Sequence, residues 1–403
     1  NNQDHPLVLS AKSPKIMYLS KAVLTGFDKY KYSSIDNSPV SNYITHPFWN
    51  WVVQFYPRWI APNVLTLAGF LFLVLQFVVL TYYDSDFYAS SDIHPNHPPI
   101  PNWIWLFSSI CIFLAHTLDG TDGKQARRTK TSGPLGELFD HGLDSWATLF
   151  MPIGIFSLFG RGDHSIDVLR MSFIMLSVQI TFVMSHWEKY NTGILFLPWG
   201  YDPSQIGMVV LYFITWLYGY SMWKFHVPYT GLSCAEFFEF GMYGGAVLQF
   251  PQCLLNIYRA YKNKALKYSS FYEAQRPLVP GLVLFGLFYF WAYISPYGIL
   301  QKHPRLFMFT FGTAFANSTS RLIVSGMSHT RCDAFNVLLV PLVAIVVGAA
   351  TLKLGTMEAY LMVAYAIYVL AAHLHYGICV VKQLADHFNI YVFSVEKPPS
   401  KQK

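Results

Sequence analysis

The sequence predicts an all-α, polytopic integral membrane protein with about ten transmembrane helices, preceded by a helix lying in the membrane interface. Three observations carry this prediction. Charged side chains make up only 12% of the 403 residues, half the roughly 25% usual in soluble domains. Residues of hydrophobic type make up 53% and aromatics 18%, which is too apolar for a disordered chain. Finally, apolar runs recur along the chain at lengths near the roughly 20 residues that cross a bilayer as a helix.

Ten such runs are read, at 64–83, 103–118, 145–159, 168–184, 206–222, 237–254, 278–294, 306–324, 337–354 and 359–381. Glu236 and Glu239 weaken the sixth at its start. An even number of spans places both termini on one side, and Lys and Arg gather on the cytosolic side of membranes. Counted this way, 22 of the 28 Lys and Arg fall on the side of the termini. The first gap on the other side, 84–102, carries three Asp and no base, and its Pro-rich part 94–101 reads as a lumenal loop.

Residues 1–60 contain no apolar core of a cleavable signal peptide and read as a cytosolic segment. It ends in an aromatic stretch, His46 to Arg58, where Phe48, Trp49, Trp51, Phe55 and Tyr56 fit an interfacial helix or a connector that anchors the first span. On this division residues 61–255 hold six helices, 256–381 hold four more, and 382–403 form a cytosolic tail. The net charge of +6 is scattered through short gaps rather than clustered on one domain, which excludes a nucleic-acid partner. Five cysteines, without CxxC spacing and mostly in or beside apolar runs, read as packing residues.

Against this apolar background four carboxylates stand out. Asp119 and Asp122 end the second run, Gly133-Pro134 breaks the helix, and Asp140 and Asp144 open the third. Residues three or four apart share a helix face, so two helices joined by a short turn can aim four carboxylates at one point. Ionisable groups at such depth are costly and mark function. Four carboxylates need cations beside them, and two hard divalent ions match them in charge. Mg²⁺ in particular is held by carboxylates together with substrate phosphates, and paired metals clamp a phosphoryl centre and its leaving group. The basic turn Lys124, Arg127, Arg128 and Lys130 can face a polyphosphate, while Gly123 and Gly136 permit close backbone approach.

The pattern Asp119-x2-Asp122-Gly123-x2-Ala126-Arg127-x8-Gly136-x3-Asp140-x3-Asp144 resembles the complete signature of the CDP-alcohol phosphotransferases, with no departure at its eight positions. Further stretches, 26–32, 46–50, 136–145, 185–202 and 312–319, are similar to the branch of that family that transfers phosphoethanolamine or phosphocholine. The likeness covers roughly residues 25–395. It implies a ten-span enzyme of the endoplasmic reticulum or Golgi, commonly a homodimer, that uses Mg²⁺ or Mn²⁺, with 61–255 as its catalytic core. The implied reaction takes CDP-ethanolamine and diacylglycerol, or an alkyl-acylglycerol, to phosphatidylethanolamine and CMP.

The resemblance also makes Asp119, Asp122, Asp140 and Asp144 the metal ligands, with Gly123, Ala126, Arg127 and Gly136 shaping the cytidine diphosphate site. The lipid hydroxyl needs a base. His141, beside Asp140 and with an ordinary pKa of about 6.5, is favoured over Asp144, and the other role open to it is pairing with a ligand Asp. Arg127 meets the charge on the leaving CMP. Asn63 either reaches the nucleotide or caps the first span. Glu188, with Trp187 or Tyr190, either meets the head-group ammonium or belongs to an interfacial aromatic anchor. His373 and His375, two apart, read as polar interfacial residues, and Asn317 to Ser320 as helix-packing residues. A choline-transferring or dual-specificity enzyme is the nearest alternative. A diphosphate-dependent prenyltransferase would not need the Gly-x2-Ala-Arg-x8-Gly spacing, and an ion transporter would need carboxylates along a path across the bilayer.

Overall fold

The computed structural model describes residues 17–91, 97–162, 164–268 and 270–396. The front of the Pro-rich stretch and the last seven residues of the tail lie outside these. Among the described residues the secondary structure is helical apart from an isolated bridge, His226 to Ser233, and two dipeptide strands, β1 (Ser34–Ile35) and β2 (Leu195–Phe196), paired in parallel with Ser34 opposite Leu195. Two short helices, α1 (Lys21–Asp28) and α2 (His46–Val52), precede the long ones. These begin with α3 (Pro62–Tyr83), α4 (Trp103–Thr129), α5 (Pro134–Phe159), α6 (Val168–Thr192), α7 (Tyr201–Tyr218) and α8 (Cys234–Lys262). After them come α9 (Phe271–Gln275), α10 (Val279–Ile294), α11 (Ile299–Lys302), α12 (Pro304–Ser328), α13 (Leu339–Leu352) and α14 (Met357–Phe388). Residue 255, expected to close a six-helix unit, lies inside α8.

Local chemistry sets the helix ends. Pro62 and Pro134 occupy the first positions of α3 and α5, where a missing N–H costs nothing. Asp167 caps α6 by accepting from the N–H groups of Leu169 and Arg170, and Gly193 ends it in the left-handed region. Ser233 and Glu236 form a capping box that starts α8. The two glutamates that weakened the sixth span thus have partners: Glu236 closes the box, and with Glu239 it binds Arg170 of α6.

Helix α5 is the centre of the bundle, its apolar stretch 78% buried, and it packs against α3, α6 and α12. Gly312 allows α12 to press directly on it, since a Cβ there would come within 2.5 Å of the Leu149 Cβ. Asn317 to Ser320 knit helices as expected: Asn336 donates to Asn317 Oδ1 at 3.0 Å and to Ser318 Oγ at 2.9 Å, and Ser320 meets Ser145 of α5 at 3.3 Å. All five cysteines are free, three of them buried.

Every predicted span has a helix, but the count long and apolar enough to cross a membrane is six among the described residues rather than ten. These are α3, α4, α5, α6, the stretch Phe271–Ile294 and α14. The other four fall short for identifiable reasons. Helix α13 has only 14 residues; α12 carries its run of Asn, Ser, Thr, Ser and Arg321; α7 opens with Tyr-Asp-Pro-Ser-Gln and α8 with two glutamates.

The interfacial expectation divides in the same way. Trp51 and Phe55 are exposed on α2 and the turn after it, as is Trp59 beyond them, whereas Trp49 is buried on Gly120 of α4, where a Cβ would come within 2.2 Å of the indole. A four-residue gap between α4 and α5 keeps their neighbouring ends together. At that same end α1 meets the last turn of α14, where Asp28 pairs with His387 at 2.7 Å, and the chain just after α14 meets α3, where Asn63 donates to the Val392 carbonyl at 2.9 Å.

Candidate active site

Helix periodicity places Asp119 and Asp122 on α4, and Asp140 and Asp144 on α5, two helices that both pack on α3 and face each other across the site. Carboxylate oxygens of Asp119, Asp140 and Asp144 all lie within 4.8 Å of one another. At that separation each ionised pair costs about 3 kcal/mol at an effective dielectric of roughly 20. Such a cluster is stable as three anions only with cations among them, and its hard oxygen donors suit Mg²⁺ or Mn²⁺. Asp122, the fourth expected ligand, is buried beside them with Oδ2 turned to the Thr66 hydroxyl of α3.

A ring of partners unforeseen from the sequence holds these carboxylates. The Tyr201 hydroxyl donates to Asp119 Oδ2 at 3.0 Å. Next to it, Asp202 is locked by His116 at 2.9 Å, Ser41 at 2.7 Å and Thr45 at 2.6 Å. This joins α4, α7 and the segment before α2. Asp202 ends the stretch 185–202 that resembles the family, without a role given to it; nothing marked Thr66, a hydroxyl inside an apolar run.

The basic turn divides its labour. Lys124 donates to Asn50 Oδ1 at 2.9 Å, and Arg128 donates to the carbonyls of Val53 (2.9 Å), Tyr56 (2.5 Å) and Gln54 (3.2 Å). Gln125 adds bonds to the Pro57 and Ile60 carbonyls at 3.0 and 3.1 Å. These three fasten the aromatic segment to α4. Lys130 takes the left-handed position that ends the helix. Among the described residues, only Arg127 of the turn's two arginines is left without a hydrogen-bond partner. It lies on the face of Gly123, where a Cβ would sit 3.7 Å from Arg127 Nη1. Gly136 likewise opens onto space, its nearest neighbour Asn63 Oδ1 at 3.6 Å from a built Cβ, and Ala126 is half-buried on the same stripe as Asp119 and Asp122.

His141 is buried between two carboxylates. Its Nε2 lies 3.8 Å from Asp140 Oδ2 and its Nδ1 3.9 Å from Glu137 Oε1, both beyond hydrogen-bond length. Nδ1 has no partner. Glu137 is itself bound by Lys189 and by the Tyr30 hydroxyl at 2.5 Å. Burial, then the Glu137 carboxylate, raise the Tyr30 phenol above its ordinary value, which keeps it a donor.

Asn63 does not cap α3, whose N-cap is Ala61 without a side-chain bond; it stands beside Gly136 instead. Glu188 is not brought to the carboxylates: its neighbours are Asn256 and Cys253 of α8. Trp187 and Tyr190 are engaged too, the indole donating to the Ala274 carbonyl at 2.6 Å and Tyr190 stacking on Tyr268 at 4.3 Å. Of the paired histidines, His375 accepts a place beside the Tyr18 hydroxyl at 2.9 Å. His373 is buried edge-on to Trp146 at 4.7 Å rather than interfacial.

A pocket runs from Asp119, Asp144 and Tyr201 to Phe70, Leu73 and Met151, between α3, α4, α5 and α7. It is small, about 20 Å³, with carboxylates at one end and apolar side chains at the other. An all-α membrane fold with this cluster, an arginine free to meet an anion and a glycine-lined face suits metal-dependent transfer of a phosphoryl group. The profile of the CDP-alcohol phosphatidyltransferase family matches residues 59–235, which include all four aspartates.

The chain belongs to that family and is an enzyme of it. Ethanolaminephosphotransferase 1 of Mus musculus is 48% identical over 389 residues, covering 95% of this chain and 96% of that one. The protein of the same name in Homo sapiens is 47% identical over 385 residues, with the same shares covered. Cholinephosphotransferase 1 of Danio rerio is 32% identical over 323 residues, 78% of this chain and 79% of that one.

Proposed function

We propose that this enzyme transfers phosphoethanolamine from CDP-ethanolamine to the free hydroxyl of diacylglycerol or alkyl-acylglycerol, releasing CMP and forming phosphatidylethanolamine. The observation that carries the reading is the convergence of Asp119, Asp140 and Asp144, two of which, Asp119 and Asp144, also line a small cavity whose other wall is apolar. The near-full-length similarity to relatives named for ethanolamine selects the head group. The residues fit two Mg²⁺ or Mn²⁺ ions held by Asp119, Asp122, Asp140 and Asp144. Bound there, the ions would neutralise the carboxylates and the diphosphate and withdraw charge from the reacting phosphorus.

The chain's own groups do the rest. Gly123, Ala126 and Gly136 leave room for the nucleotide, Asn63 offers it an amide, and Arg127 takes up charge as CMP departs. Phe70, Leu73 and Met151 keep water from the acceptor end. The lipid oxygen attacks the β-phosphorus, the bond to the α-phosphate oxygen breaks, and CMP leaves with that electron pair. His141 takes the hydroxyl proton on Nε2, and Glu137 beside Nδ1 stabilises the resulting imidazolium. Asp144, committed to metal, is the less basic alternative. Glu188 serves packing in this scheme rather than the ammonium.

In this reading the enzyme works in endoplasmic reticulum or Golgi membranes, with the site and both termini cytosolic. What supports this orientation is the excess of bases on one side and the meeting of α1, the chain after α14 and the carboxylate end. Assembly as a homodimer completes the reading. Membranes containing the chain, given labelled CDP-ethanolamine or CDP-choline with diacylglycerol and Mn²⁺, should release CMP at higher kcat/KM from CDP-ethanolamine. CMP from neither donor overturns the activity, and preference for CDP-choline overturns the head group.

A further inference from the structure

A second cleft, of about 310 Å³, is lined by Lys189, the ion-pair partner of Glu137. It gathers basic residues from stretches far apart in sequence: Lys29 and Lys31 after α1, Lys189 of α6, Lys267 after α8 and His329 after α12. The size lies at the lower end of small-ligand pockets, roughly 300–1,000 Å³.

Its walls are pinned. Ser33 accepts from the Leu195 N–H at 3.0 Å and Lys267 donates its N–H to the Asn191 carbonyl at 2.8 Å. Gly193, at φ +79°, lets the Lys267 chain lie across α6, since a Cβ there would come within 2.6 Å of Lys267 Cε. Lys189 forms the floor with only 5% of its side chain exposed, and Glu137 is its partner.

Charge is the reason to assign a ligand. Among the described residues Lys29, Lys31 and Lys267 have no ion-pair partner. The nearby acids are engaged elsewhere, Asp28 with His387 and Glu273 with Arg331 and Arg276. Four lysines against the single Glu137 carboxylate leave three uncompensated cations around one cleft. The C-terminal end of α6 supplies about half a negative charge, which does not balance them. Lys29, Lys31 and Lys267 are exposed, yet they converge on one cleft around the buried Lys189 rather than standing apart. Burial, then Lys267, hold the His329 imidazole below its ordinary value, so it is a neutral hydrogen-bonding group at the rim.

We infer that this cleft is a binding site for a phosphate-bearing anion, separate from the carboxylate centre and formed by Lys29, Lys31, Lys189 and Lys267. The phosphate can arrive free in solution or as the head group of an acidic lipid, and two experimental arms separate these sources. The purified chain is placed in neutral phosphatidylcholine nanodiscs with EDTA, so that the metal-free carboxylates repel anions. Pyrophosphate binding is then titrated calorimetrically. In the second arm the nanodiscs contain phosphatidic acid, and lipids retained by the protein are counted by native mass spectrometry.

Saturable binding in either arm is expected, weakening with salt and about tenfold or more weaker in the K31Q/K267Q double variant. Lys31→Arg and Lys267→Arg should restore it. CMP release in neutral bilayers with Mn²⁺ should stay unchanged in the variants, which reports an intact fold. If the double variant aggregates, K267Q alone, which alters one exposed side chain, is read by the same criteria. Absence of binding in both arms, or equal binding by wild type and variant, overturns the proposal.

Discussion

Replacing Tyr201 by Phe tests whether the ring of partners around the carboxylates does more than fill space. The phenyl group keeps the packing against His116, whose ring centroid lies 6.0 Å away, and leaves the shape of the pocket unchanged. What is lost is one O–H donor 3.0 Å from Asp119 Oδ2. A hydrogen bond to a charged group is worth about 1.5–3 kcal/mol, and a factor of ten corresponds to about 1.4 kcal/mol. If that bond aims Asp119 at the metal, the half-saturating Mn²⁺ concentration for CMP release should rise by about 10- to 150-fold. Partners that orient metal ligands elsewhere weigh about 10- to 100-fold. At saturating Mn²⁺ the variant should recover kcat to within a few-fold, because no group that touches the reacting atoms has changed. The assay is CMP release across a Mn²⁺ titration in detergent or nanodiscs. A collapse of kcat that excess metal does not repair, with an unchanged Mn²⁺ midpoint, would refute the reasoning and make Tyr201 a participant in the chemistry.

Asp140→Asn and Asp144→Asn should each lower kcat/KM by at least about 10²-fold while leaving the thermal midpoint unchanged or higher, because removing one of three mutually repelling anions relieves the metal-free protein. His141→Ala should cut turnover by about 10²- to 10⁴-fold with the Mn²⁺ midpoint kept; near-normal turnover would remove His141 from the base role. Gly312→Ala drives a methyl to within 2.5 Å of Leu149 Cβ and should destabilise the bundle by about 1–3 kcal/mol, read as a lower thermal midpoint, whereas Gly142→Ala, with nothing within 4 Å of the new Cβ, should not.

The aspartates were legible because two helical spacings inside an apolar chain are conspicuous: a stripe repeating at three or four residues needs no tertiary knowledge. Three of the four oxygens meet as the periodicity demands. Arg127 was singled out by the resemblance alone; its charge did not separate it from Arg128, since which of two neighbours is engaged depends on the carbonyls that segment 53–57 offers. Thr66, Tyr201 and Asp202 escaped because each acts across tens of residues of chain, through contacts set by how α3 and α7 lean on α4. The number of spans failed for a different reason. An apolar run shows that a segment packs as a helix, not that the helix is long and apolar enough to cross a bilayer: α13 has only 14 residues, and α12 carries Asn317 and its neighbours, which Asn336 and α5 satisfy. The aspartates, Asp202 and the Asn317 patch therefore follow one rule: in a chain with 12% charged residues, a polar group inside a helix is there for another element. Its own spacing reveals the element only when that element is the adjoining helix.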